Sequence, residues 1–390
     1  MPTLPEIHLV DDQKRVLRLL RDQEPRSRIE ISRQLNINNG VLTRVSRELI
    51  SLGLVAEAGA QAAPRGRPSL PLSLRADGAY AIGAATHPGW VDLCVLDFAG
   101  TPLAQHSFPW SEGDPRQFGE LLVREVGAIT AKLRLRHARF LGFGVSVPGY
   151  TVGSRAQRHT VARMESWRDH DLSSLLADVL DGPVWIENDA NAAAIAEYYS
   201  SGAQDGTSML ALFLGHGVGG GCISGGQLFL GEYANAGEIG VLYPLNRPRP
   251  SAIDLIRTLE ATGSGPIDLQ HLGDHLDQHE DVVETWIARA AEQLELAVLS
   301  GIAWFDPASI VISGTLPDRV LDGLASKLCT VAWEKRLGTR SMAPIKASRL
   351  QGRAGAIGAA FLPIHHMIAP QAKTIACGDW PRTRGDRRRD

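Results

Sequence analysis

Cysteine is scarce in this chain. Cys94, Cys222, Cys329 and Cys377 are spread over 390 positions and none forms a C-x-x-C pair, which argues against a disulfide framework and against a thiolate zinc site. Long apolar runs are also missing. No stretch approaches the roughly 18 to 20 apolar residues that cross a bilayer, and the chain reaches Asp11 and Asp12 without an apolar signal core, so a cytoplasmic protein with no membrane partner is expected. Metal-ligand spacing is lacking among His159, His170, His271, His275 and His279, and neither a metal nor another cofactor is expected. Nor does one sign of charge dominate, the formal total being −3. The basic residues are instead concentrated at the ends: residues 1–74 hold eleven Lys and Arg against eight Asp and Glu, and residues 382–390 hold five Arg against two Asp. Such ends suit an anionic partner. A chain of this length divides naturally into two or three domains.

The first 75 residues read as a winged helix-turn-helix. Apolar Val16, Leu17, Leu19 and Leu20 recur at near-helical spacing between Asp11 and Gln23, with Asp11 or Asp12 placed to cap the start. Ser27 and Glu30 have capping-box spacing ahead of a second helix, whose Ile29, Ile31 and Leu35 are expected to face a small core. After a turn rich in Asn and Gly, the apolar period resumes from Val41 to Leu52 and Gly53 stops the helix. The polar face of this third helix offers Thr43, Arg44, Ser46 and Arg47. In a helix-turn-helix the second helix of the pair enters the major groove, which makes Asn38, Asn39, Thr43, Arg44 and Arg47 the candidate DNA contacts. Leu54–Glu57 and Leu70–Leu74 alternate like two short strands of a wing, and Arg65-Gly-Arg67-Pro68 at its tip puts two guanidinium groups where they can enter a narrow, AT-rich minor groove.

Beyond Leu74 strands alternate with helices, the pattern of an α/β architecture. Tyr80 to Asp97 reads as two strands joined by a turn, with a third beginning after Gly100 and another over Phe140–Val147. Helices are expected over Gln117–Leu133, Leu172–Leu180, Val282–Ala303 and Val320–Leu337. Seven motifs follow in order: Arg65-Gly-Arg-Pro68, Ser146-Val-Pro-Gly149, Glu187-Asn-Asp-Ala-Asn191 with Glu197, the glycine-rich Gly215–Gly221, Ala236-Gly-Glu-Ile-Gly240, Asp306-Pro307 before Ile310–Gly314, and Gly355-Ala-Ile-Gly-Ala359. In that order they resemble the ROK family (repressors, open reading frames and kinases) from about Val10 to Leu362, and the added winged helix resembles its sugar-responsive repressors.

The resemblance implies a two-lobed, actin-like, sugar kinase-like core over residues 76–365, between the DNA-binding residues 1–75 and a flexible basic tail over 366–390. It implies that Asn188, Asp189 and Glu238 hold the hydroxyls of a sugar, as charged and amide groups can through directional hydrogen bonds, that Ser146 and Gly149 shape the pocket, and that Glu187 and Glu197 orient it. In the kinases of the family Asp189 would be the catalytic base. This chain departs from the kinases at the first strand turn. Ala85, His87 and Gly89 stand where Asp-x-Gly-x-Thr would grip nucleotide phosphates and metal, and Pro88 removes a backbone donor. His216 stands where the kinases commonly have Thr in the second glycine-rich turn. The family's His and Cys zinc ligands are replaced by Val241 and by Tyr243–Asp254. Asp254 either replaces the family's second glutamate near the sugar or is a helix N-terminal carboxylate.

The expected function is therefore a DNA-binding regulator of sugar uptake or catabolism, most simply a repressor and not an enzyme. Its expected partners are a pseudo-palindromic operator, a sugar effector and further copies of itself in a homodimer or homotetramer. Two alternatives remain: an active ATP-dependent sugar kinase with an accessory DNA domain, and a ligand-independent regulator that uses the core as an oligomerisation scaffold.

Overall fold

The computed structural model describes residues 7–22, 24–58, 70–111, 113–135, 137–168, 170–201 and 206–369. Helix α1 (Asp11–Leu19) is not capped by an aspartate; the Gln13 side chain accepts from Val10 N at 2.9 Å, and Asp11 and Asp12 lie inside the first turn. Ser27 does cap α2 (Arg28–Leu35) in the expected box, with Glu30 N donating to Ser27 Oγ at 3.2 Å and Ser27 N to the Glu30 carboxylate at 2.7 Å. Asn36 turns the chain at φ 50°. Helix α3 (Asn39–Ser51) starts two residues before the apolar period, because Asn38 caps it by accepting from Gly40 N at 2.8 Å. Strands β1 (Val55–Glu57) and β2 (Leu72–Leu74) pair antiparallel as the base of a wing, and Arg26 adds one isolated antiparallel bridge to Leu72.

Two expectations for this head are corrected. Ile31 is fully buried but Ile29 is 57% exposed, since positions two apart on a helix point about 200° apart and cannot share one face. Ser46 belongs to the interior instead of the polar face: it is buried and accepts from Arg28 Nε at 3.2 Å. Arg28 also reaches Glu57 at 2.7 Å, tying α2, α3 and the wing together.

The remaining chain builds two five-stranded sheets on one plan. In the first, β3 (Ala79–His87), β4 (Trp90–Asp97) and β5 (Pro102–Pro109) form an antiparallel meander. Helix α4 (Pro115–Thr130), capped by Asp114, precedes β6 (Arg139–Ser146), which adds parallel to β3. A hairpin of β7 (Gly149–Val152) and β8 (Ser154–Thr160) then leads to α5 (Leu172–Leu180) and β9 (Val184–Glu187), parallel to β6. Helix α6 (Asp189–Ser200) crosses to the second sheet, where β10 (Met209–Leu214), β11 (Val218–Ser224) and β12 (Gln227–Leu228) repeat the meander. After α7 (Ala252–Glu260) and α8 (Glu280–Phe305), β13 (Ser309–Gly314) joins parallel to β10. The expected helix over Val320–Leu337 is two, α9 (Asp318–Cys329) and α10 (Glu334–Leu337), broken where Trp333 is buried and its indole donates to Leu328 O at 2.8 Å. Strand β14 (Ile345–Ala347) completes the sheet and α11 (Ala354–Ile368) returns to the first one.

Glycines let α11 lie directly on its neighbours. A methyl group on Gly358 would stand 1.7 Å from the carbonyl oxygen of Ala192 in α6, and one on Gly83 or Gly144 would meet the α11 backbone at 2.0 and 1.9 Å. The alanine-rich faces of α6 and α11 thus form a layer between the sheets with backbone nearly in contact. Helix α1 is anchored to the same layer. Arg18 donates to Ile368 O at 2.8 Å, and Arg21 donates to Phe98 O and Ala99 O at 3.0 Å each while its guanidinium lies 4.6 Å from the centre of the Tyr199 ring.

Candidate functional site

The chain reverses from β9 into α6 at Asn188, and this junction assembles one wall of a cleft of about 380 Å³. Asn188 caps α6 by accepting from Asn191 N at 2.7 Å and donates through Nδ2 to Glu238 Oε1 at 3.3 Å. Glu187, at the end of β9, organises the turn: its Oε1 accepts from Asn188 N at 2.8 Å, Asn191 Nδ2 at 3.1 Å and the buried Arg158 at 2.8 Å. Glu197 lies deeper, accepting from Ser313 Oγ at 2.7 Å, and so links α6 to β13. Asn235 bridges the two lobes beside the cleft, accepting from Thr151 N at 2.8 Å and donating to Thr151 O at 3.0 Å.

Glu238 is held opposite by two glycine motifs that meet. Gly220 N donates to Gly237 O at 2.9 Å, and a methyl group on Gly237, which has φ 93°, would stand 2.1 Å from Gly220 O. The glycine-rich strand therefore leaves room for the segment that carries the carboxylate. Asp189, Asn188, Glu238 and Gly149 all line the cleft; Ser146 lies behind it, fully buried, with its carbonyl accepting from Thr86 Oγ1 at 3.2 Å. Burial pushes the Asp189 carboxyl above its ordinary range despite the His87 and Arg158 charges, and burial followed by the charge of Asp189 does the same to Glu238. A ligand that donates hydroxyl hydrogens to these groups would relieve both.

The corner behind Asp189 is tight. The β3–β4 turn carries Pro88 and Gly89, and the His87 ring stacks on Trp90 at 4.6 Å and pairs with Asp92 at 3.1 Å. Burial works against ionisation of Asp92, but its bonds to His87 and Ser107 outweigh it and hold the carboxyl below its ordinary range. Ala85, His87, Pro88, Ser146, His216 and Gly355 border a space of about 20 Å³, enough for about one water.

Asp254 lines the cleft but its carboxylate turns to α8, accepting from Trp286 Nε1 at 2.7 Å and pairing with Arg289. In the head, Asn38, Asn39, Arg44 and Arg47 are exposed along the start and outer face of α3, and Thr43 is half-buried with its hydroxyl on Asn39 O at 2.8 Å. Arg65 and Arg67 lie outside the described residues.

The ROK family model matches residues 89–249, and an uncharacterised protein of Sinorhizobium fredii, y4fQ, is 31% identical over 93% of this chain and 92% of its own length. The chain belongs to the ROK family. Among the ROK relatives, the Escherichia coli DNA-binding transcriptional dual regulator NagC is 25% identical over 58% of this chain, a match that spans 55% of NagC. The xylose repressor of Bacillus spizizenii is 22% identical over 92% of this chain and 96% of that one. A solved ROK transcriptional regulator, a homologue of E. coli MLC, superposes with a TM-score of 0.67 at 19% identity, covering 92% of this chain and 97% of its own. A Streptomyces griseus ROK glucokinase, solved with glucose and AMPPNP, gives 0.55 at 24% identity, over 73% of this chain and 99% of its own. The fold is thus a mixed α/β one, and the solved regulator superposes on a larger share of this chain than the glucokinase does. Among the described residues no helix is long and apolar enough to cross a membrane.

Sequence reasoning named the trio Asn188, Asp189 and Glu238 but missed Arg158, which no motif flags because it sits in a hairpin of otherwise ordinary polarity. It also missed the arginines that line the cleft. Arg163, Arg247, Arg249 and Arg257 are spread over 95 positions of sequence and meet only in the fold.

Proposed function

We propose that this protein is a sugar-responsive transcriptional regulator, with residues 1–75 reading DNA, residues 76–365 binding a sugar effector, and no phosphotransfer. The observation that carries the reading is the Asn188–Glu238 hydrogen bond across the cleft, with Asp189 beside it: a ring of donors and acceptors that fits sugar hydroxyls. The likeness to NagC, a DNA-binding transcriptional dual regulator, and to a xylose repressor supports it. The loss of kinase activity is inferred from Ala85, His87, Pro88 and Gly89, whose turn supplies no carboxylate for a metal, and from the narrow corner that Ala85, His87 and Pro88 border. Phosphoryl transfer depends on positioning and charge stabilisation of the phosphates, so a retained Asp189 does not suffice.

On the DNA side, α3 presents Asn38, Asn39, Thr43, Arg44 and Arg47 to the major groove of a half-site, while Arg65 and Arg67 reach the minor groove. A homodimer or homotetramer would match a pseudo-palindromic, AT-rich operator. Sugar releases DNA only if it binds the DNA-incompetent arrangement more tightly. Fluorescence anisotropy on fragments from the protein's own upstream region, titrated with a sugar panel, tests the proposal. Loss of operator affinity on saturation with one sugar is expected. Operator binding indifferent to every sugar refutes the inducer reading, and ATP consumption that needs one sugar and disappears in Asp189→Asn replaces it with a kinase.

A further inference from the structure

One side of the cleft is acidic and the other is not. Arg247 and Arg249 lie on the segment where the resemblance would place zinc ligands, Arg257 lies on α7, and Arg163 faces them from the first lobe. Among the described residues Arg247, Arg249 and Arg257 pair with no carboxylate. Asp254, the acidic residue nearest to them in sequence, is engaged by Trp286 and Arg289. Arg249 gives one bond to Gly240 O at 3.1 Å, and its buried Nε has no hydrogen-bond partner. His216 reports the same concentration of charge: burial first, then Arg163, Arg257 and Arg249, lower its affinity for a proton. The first turn of α7 also borders the cleft at Ser251 and Ile253, aiming the positive end of a helix dipole into it.

We propose that the effector of this protein is an anionic sugar, one bearing a phosphate or a carboxylate, whose charge is bound by Arg247, Arg249 and Arg257 of the second lobe together with Arg163 of the first. The inference rests on the sugar-effector reading above and narrows its ligand class. Guanidinium groups are matched to such groups because their planar donors bind oxyanions in pairs. With arginines on both walls, like charges face each other across the cleft, and an anion seated between them draws the lobes together. Ligand charge would then be coupled directly to closure.

Calorimetry on the full chain with matched sets tests this: glucose, galactose, mannose and N-acetylglucosamine, each neutral sugar against its 6-phosphate and, for the hexoses, its uronic acid. In the set that binds, the charged member should bind about tenfold more tightly or better, the effect of one charge-assisted contact, and the preferred member tells phosphate from carboxylate. The ratio of charged to neutral affinity should fall toward one in the double variant Arg247→Gln, Arg257→Gln, whose exposed sites make misfolding an unimportant outcome and whose operator binding checks it. Equal affinity for neutral and charged members, or a ratio that survives in the variant, overturns the inference and leaves the sugar-effector reading standing. Tight binding of ATP that displaces every sugar phosphate and is lost in the variant overturns it in favour of a nucleotide site. If no sugar of any charge binds, the effector reading itself fails.

Discussion

Replacing Arg21 with alanine should loosen the DNA-reading head from the core without damaging either. Arg21 donates to two backbone carbonyls, Phe98 O and Ala99 O, and stacks over Tyr199, whose hydroxyl meets His365 Nδ1 at 2.8 Å. Burial pushes His365 down to about 3, so that ring stays neutral, and Arg21 is the cation of the group. Hydrogen bonds from a charged donor are worth about 1.5–3 kcal/mol each and the cation–π contact about 0.5–2 kcal/mol. Relief from burying a guanidinium, which lowers the Arg21 pKa, offsets part of that sum. A net loss of about 2–4 kcal/mol in the docking of α1 follows. If α1 opens locally, that loss accelerates amide exchange in residues 11–22 by about 30- to 1000-fold, readable by hydrogen–deuterium exchange with mass spectrometry, while exchange in β3, β10 and α8 stays as in the parent. Operator affinity should persist and the effector should reduce it less than in the parent, because, of the two ties of α1 to the core, only the Arg18 bond to Ile368 O remains. Unchanged exchange over residues 11–22, or an intact effector response, refutes the reasoning.

Arg44→Ala and Arg47→Ala should each weaken operator binding and lower the slope of log affinity against log salt by about one if the contact is to phosphate; anisotropy across a salt series reads this. Asp189→Asn should lower effector affinity by about ten- to a hundredfold through loss of a charged acceptor, measured by calorimetry, and leave operator binding intact. The same substitution tests a pH effect. Because the Asp189 carboxyl is raised in the folded state, its contribution to stability is fully present below its unfolded value and is lost as pH rises through the folded one. The thermal midpoint of Asp189→Asn minus that of the parent should therefore rise as pH goes from 4 to 8, and a difference that falls instead would contradict the placement of the carboxyl. Gly358→Ala should destabilise the core by about 3 kcal/mol or more, since the new methyl meets the Ala192 carbonyl backbone and not a movable side chain; a soluble variant with unaltered denaturant midpoint would show that the helices separate freely.

Much of this molecule was legible locally. The strand pair around Pro88-Gly89, the limits of α5 and the capping box at Ser27 follow from short-range rules, and the structure has them where periodicity and capping chemistry put them. What local rules could not supply was partnership. Ile29 and Ile31 have equal hydrophobicity, and only the direction of α2 decides which is covered. Ser46 reads as polar surface until Arg28 reaches it from another helix. The acidic side of the cleft comes from short motifs and was visible, whereas its arginines belong to no motif and are gathered by the return of the chain through α7. Gly220 and Gly237 were each flagged as part of a motif, but that one makes room for the other is a fact of register between residues seventeen positions apart.

The contact between Gly358 and Ala192 constrains how such a molecule can move. With no side chain between the two backbones, sliding α11 along α6 would drive the neighbouring alanines into a carbonyl, whereas tilting about the contact preserves every distance near it. The pair acts as a fulcrum. The end of α11 at Ile368, where Arg18 of the head is tied, lies ten residues farther on, a lever arm of about 15 Å at 1.5 Å per residue. A tilt of about 10° at the fulcrum would swing that end by about 2.6 Å, a displacement large enough to move a recognition helix out of register with its groove.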